Sequence, residues 1–265
     1  MTSPSVVPAA PQPPHDEVEL LLRLGDDRLV LGHRLSEWCG HAPILEEDIA
    51  LANVALDLLG QATLFLRRAG ELEGRGRDED ALAYLREAVE FRNCLLVEQP
   101  NGDFGFTIVR QFLFDAYAVV TLEAMSRSAS LELSALSAKS LKEATYHLRH
   151  SAEWMLKLGD GTDESHRRMQ RALDELWRFT PELFVADGVA ARLALLGIGP
   201  DLPALRPQWD AMVRDVIARA TLTLPHDVSH TPHLRGGRAG MHTEHLGHML
   251  AEMQIVARSH PGAKW

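Results

Sequence analysis

From Asp16 onward, apolar residues recur at helical spacing, and no alternating Val/Ile/Thr/Tyr run is bounded by turn dipeptides. The pattern therefore predicts helix after helix and no strands. The clearest stretch runs from Leu45 to about Arg68, where Ile49, Ala52, Leu56, Leu59 and Leu66 mark one helix face. Glu46, Glu47 and Asp48 sit in its first turn, where negative charge suits the helix dipole.

Further helices are predicted over Asp26 to Trp38, Ala81 to Val97, Phe106 to about Ser128, and Leu131 to Leu158. Others follow from about Glu164 to Phe179 (stopped by Pro181), from Asp187 to Leu195, from Gln208 to Leu222, and from Met241 to Arg258. Charged, Gly- or Pro-containing stretches at 71–80, 98–105, 196–208 and 225–240 read as connections. Several long helices joined by moderate loops describe one all-α bundle rather than a string of small domains. The expected organisation is a Pro-rich tail over residues 1–15, with five prolines and no Lys or Arg, and one helical domain over 16–265.

Composition narrows the function classes. The chain has 265 residues, 46% of them apolar and 24% charged, with a formal charge of −10. No segment gathers the dense basic face that phosphate backbones require, so nucleic acid is not an expected partner. No uncharged apolar run of about 18 residues occurs, so no membrane span is expected. Cys39 and Cys94 are too few for a disulfide framework and point to a cytoplasmic protein.

Chemistry in such a bundle would sit on inward polar side chains. A di-iron carboxylate site takes one Glu from each of two helices and a Glu-x-x-His from each of two others. Residues three apart lie about 60° apart around a helix, so both reach one metal. The candidates are Glu37, Asp57, Asp115, Glu143 and His147, with Gln61 beside them. Asp57 and Asp115 are the most telling, because a carboxylate among apolar helix residues is costly unless paired or hydrogen-bonded. The set nevertheless lacks both Glu-x-x-His motifs. Gly60 lies three positions after Asp57, and Ala144 lies three before His147. Glu143 and His147 are an i, i+4 pair that shares a face. One imidazole stands where two are required, so the expectation is a buried, metal-free hydrogen-bond network.

The segments GHRLSEWCGHAPILEEDIALANVALDLLGQA, LFDAYAVV, KEATYHLRHSAEWMLKLGDGT and HTEHLGHMLAEMQ, in this order, resemble the C-type subunits (PaaC) of the 1,2-phenylacetyl-CoA epoxidase complex. The likeness covers nearly all of the chain past residue 16. It implies a ferritin-like four-helix bundle core with additional helices, and membership of a multicomponent monooxygenase of aerobic phenylacetate breakdown. In that family an A-type catalytic subunit holds the di-iron centre and the substrate, the C-type subunit is its structural partner, and a reductase delivers electrons from NADPH. No cofactor is implied for the C-type chain. Against the A-type pattern, Glu37 and Asp115 match acidic ligand positions and His147 matches the second histidine. Asp57 stands for a glutamate, Gly60 for the first histidine and Ala144 for a glutamate.

Other features carry less. Seven histidines crowd the C-terminal region (His226, His230, His233, His242, His245, His248 and His260) without a cysteine or a fixed ligand spacing. Lys139, Lys142, Arg149 and His150 make a basic stretch that reads as a solvated or partner-facing surface. Trp38, Trp154, Trp177 and Phe179 read as packing. Walker, GxGxxG and GxSxG motifs are missing. Two further readings stay open beside the structural subunit: a ferritin-like oxidase using Glu37, Asp57, Asp115, Glu143 and His147, and a helical acyl-CoA binder without chemistry.

Overall fold

The computed structural model describes residues 13–225 and 234–263. Among them lie nine α-helices and no strand: α1 (Pro13–Ser36), α2 (Leu45–Glu73), α3 (Glu79–Tyr84), α4 (Phe104–Met125), α5 (Leu131–Gly159), α6 (Asp163–Leu176), α7 (Gly188–Leu195), α8 (Leu202–Arg219) and α9 (Glu244–Ser259). The long helices α1, α2, α4 and α5 form the core, as two antiparallel hairpins. Gly25 lets α1 approach α2 closely, since a Cβ there would lie 2.6 Å from the Leu66 side chain. The buried face of α2 carries Leu51, Val54, Ala55, Leu58, Ala62 and Phe65. Helix α4 is the central element: Ile108, Val109, Phe112, Leu113, Ala116 and Leu122 are all fully enclosed. By length and composition alone α2 and α4 could cross a membrane, but 89% of that window of α4 is buried in the bundle, as in a core helix.

Side-chain caps fix the helix starts. Asp103 accepts from the Phe106 N–H at 2.8 Å, and Asp78 from the Ala81 N–H at 2.8 Å. Gly74, at φ 68°, closes α2 in the left-handed conformation.

Four stretches differ from the sequence expectation, each for a physical reason. Helix α1 begins at Pro13, so the tail expected over 1–15 gives up its last three residues to a first turn that tolerates proline; residues 1–12 lie outside the described residues. Because α1 starts early, Asp26, Asp27 and Arg28 fall mid-helix and are buried. The helix expected over 81–97 is limited to α3 and a 3-10 turn at Ala88–Glu90. Beyond Phe91 buried carboxylates take the backbone N–H groups that a helix would use: Asp26 accepts from Arg92, Asp27 from Cys94 and Glu182 from Leu95. Helix α6 stops at Leu176 and gives way to a 3-10 stretch, Trp177–Phe184, that contains Pro181. Helix α8 starts six residues early at Leu202, with proline at its first positions.

Candidate functional site

Three polar bridges cross the seam between α2 and α5, where the antiparallel helices pair side chain to side chain. Glu47 meets His150 at 2.9 Å, Asp57 meets His147 at 3.0 Å, and Gln61 Nε2 donates to Glu143 at 2.8 Å. Position falls on α5 as it rises on α2, as the antiparallel register requires. From α1, Arg28 Nε donates to Gln61 Oε1 at 2.7 Å and its Nη1 to the Leu24 carbonyl at 3.0 Å. Gln61 therefore relays Arg28 to Glu143. The Arg28 guanidinium also lies over the Phe65 ring, 5.0 Å from its centroid. Burial lowers its pKa to about 10, which leaves it a cation at neutral pH.

Asp115 stands apart from these bridges. It is buried on α4, accepts from Gln111 Nε2 at 2.7 Å and from Ser151 Oγ of α5 at 2.8 Å, and has no cationic partner among the described residues. Burial raises its pKa to about 7, against the opposing pull of the two hydrogen bonds. His147 is likewise buried, and burial holds its pKa below the ordinary value although the Asp57 bond works the other way.

The sequence-derived set is thus divided. Asp57, Gln61, Glu143 and His147 come together on the seam, but Asp57 is only partly shielded, with its side chain 42% exposed. Asp115 contacts Ser151 and Gln111 instead. Glu37 is a correction: it lies one residue beyond the end of α1, exposed, held by Arg34 at 2.8 Å and Asn101 at 3.0 Å. The helix ends a residue too early to carry it inward. Gly60 is exposed, so an imidazole there would project outward, and Gln61 is the inward residue of that turn. Ala144 is buried without a ligand atom.

Arg28, Ser151 and the Glu47–His150 pair escaped the sequence reading. Arg28 sits in the DDR triplet, at the start of the helix expected over Asp26 to Trp38; its signal was the apolar run on either side, Leu24 and Leu29 to Leu31. His150 belongs to the seam rather than to the basic surface formed by exposed Lys139, Lys142 and Arg149.

These donors do not fit a di-iron centre. Among the described residues no three His, Cys, Asp or Glu side chains gather to hold a metal ion. The pairs already satisfy one another, and a buried arginine adds positive charge beside them. Among the described residues the C-terminal histidines do not supply the missing ligands. His242 is occupied by Glu98 at 2.8 Å and by the Phe91 carbonyl at 3.1 Å, and His226, His230 and His233 lie outside the described residues. The aromatic residues pack as expected: Trp38 meets Phe104 edge-on, Phe104 meets Trp154, and Trp177 meets Trp209.

Comparison with known proteins agrees with the architecture. Residues 8–265 match the model of the family described as "Phenylacetic acid catabolic protein". A curated relative, the C-type subunit of the 1,2-phenylacetyl-CoA epoxidase of Escherichia coli (strain K12), is 53% identical over 244 residues, which span 92% of this chain and 97% of the relative. The all-helical bundle, the match over nearly the whole chain and this identity place the protein in the phenylacetic acid catabolic protein family.

Proposed function

We propose that the chain is a non-catalytic, metal-free subunit of a cytoplasmic 1,2-phenylacetyl-CoA epoxidase, which docks and stabilises the di-iron catalytic subunit. The identity to the C-type component of such an epoxidase supports its place in the complex. The observation that carries the non-catalytic part is the pairing on the α2–α5 seam. Asp57, Glu143 and His147 are each engaged by a protein partner, and Arg28 is wired into the same network. Opening that network to two metal ions would strip satisfied hydrogen bonds and set cations beside a buried guanidinium.

The chain's own work is then mechanical. A bundle that binds only the folded form of its mate stabilises it by mass action. Mixing the purified chain with the separately purified di-iron subunit tests this. The expected result is a higher melting temperature and higher epoxidation rate for the mate, with all iron remaining on the mate. Turnover of phenylacetyl-CoA by this chain and a reductase alone would overturn it. Heat of binding for coenzyme A thioesters on the isolated chain would favour an acyl-CoA binder instead.

A further inference from the structure

Helix α2 has two apolar faces, and the second one is turned outward. Leu45 is 71% exposed, Ile49 54% and Leu56 66%, with half-buried Ala52 between them and exposed Gly60 and Thr63 beyond. Only 44% of the most apolar window of α2 is buried, half the fraction in α4. Positions 45, 49, 52, 56, 60 and 63 follow a three-four spacing over about 27 Å, the seam that a second helix packs into. A scatter of single exposed apolar residues needs no explanation, but a continuous stripe does.

Gly60 supplies an independent sign. A mid-helix glycine costs stability unless something requires it. For Gly25 and Gly70 the reason is internal, because a Cβ would meet Leu66 or the Arg77 carbonyl. For Gly60 nothing lies within 4 Å of where a Cβ would be. Gly247 of α9 is equally open, so it is the place of Gly60 within the apolar stripe that marks it as a point where another backbone can come close.

We infer that this outward face of α2 is the docking surface for an apolar helix of another subunit of the epoxidase complex. The inference rests on the subunit reading above. The rim on the α5 side is mixed in charge: exposed Tyr146, with Arg149 over its ring at 5.2 Å, and exposed Lys142 share that helix surface with exposed Glu153, so it is the apolar stripe that selects an apolar helix. A second copy of this chain fits less well, since it would bring another −10 of net charge.

The test uses the full chain, tagged and co-expressed with the other epoxidase subunits, as wild type, Gly60→Arg, Leu56→Asp and a control, Val89→Asp, on a different exposed apolar position. Gly60→Arg replaces the poorest helix former after proline by a good one, so the isolated chain should melt no lower than wild type. In the complex, Gly60→Arg and Leu56→Asp should each weaken association by about 30-fold or more, while Val89→Asp leaves it unchanged. Complexes of wild-type affinity with both stripe variants would overturn the assignment. So would a loss confined to self-association of this chain, which would make a second copy the occupant. If the wild-type chain joins no other subunit at all, the subunit reading itself fails, an outcome distinct from an intact complex that ignores α2.

Discussion

Two groups of acids do different work in this molecule. Asp26, Asp27, Glu98 and Glu182 lie where the irregular segment after α3 and the segment leading into α9 meet α1. Each accepts backbone N–H groups or a basic side chain: Asp26 takes Arg86, Asp27 takes Arg238 at 2.7 Å, and Glu182 takes the N–H groups of Leu95, Gly236 and Gly237. Glu98 binds His242, Asn93 and the Thr243 N–H. The acids of the bundle core, Asp57, Asp115 and Glu143, are met by a histidine, a serine and two glutamines. The first group holds chain segments in place with arginines and amides. The second joins helices through neutral or titratable donors, at the place where a ferritin-like bundle would hold metal.

The difference ranks the expected effects of mutation. Asp27→Ala leaves Arg238 without its carboxylate and the Cys94 N–H without its acceptor, and should cost about 3–5 kcal/mol. The urea midpoint reads this, and a loss below about 1 kcal/mol would erase the distinction between the two groups. His147→Ala should cost less, about 2 kcal/mol, because only a small cavity and one partly exposed carboxylate remain.

Asp115 should behave in the opposite sense. Its folded pKa of about 7 lies above the ordinary carboxylate value, so the folded state holds the proton more tightly than the unfolded state. Its contribution to stability is present at acid pH and is lost as pH rises through about 7. Asp115→Asn should therefore match wild type near pH 3, below the ordinary carboxylate value, and gain over it steadily as pH rises, by a few kcal/mol at pH 8. Equal melting curves for the two proteins at pH 8 would show that the carboxylate carries no such cost. His147 tilts the acid side: its pKa is held down by burial, so the stability it contributes is lost as pH falls below 6.5. That slope, the smallest effect expected, should flatten in His147→Ala.

Much of this was readable from the residues. The long helices, the absence of strand patterns and the pairing potential of Asp57, Glu143 and His147 follow from periodicity and from isolated carboxylates in apolar runs. The α2 face was harder. The spacing of Ile49, Ala52, Leu56, Leu59 and Leu66 is helical, yet Ile49 and Leu56 point to solvent, and the core face is Leu51, Val54, Leu58 and Phe65. Periodicity detects an apolar stripe without saying whether its own chain or another covers it. Glu37 and the segment after α3 failed for a second reason: a helix end and a set of side-chain acceptors 60 to 90 residues away are tertiary facts. Arg28 failed because a charged triplet looks like a surface feature until the helix around it is seen to begin at Pro13.

The central claim is that the seam network occupies the place of a metal site. Iron analysis of the isolated chain, purified from iron-supplemented cells as wild type and as His147→Ala, tests it most directly. The account predicts no more than trace iron in both proteins. About two irons per chain in the wild type, the complement of a di-iron bundle, lost in His147→Ala, would contradict it.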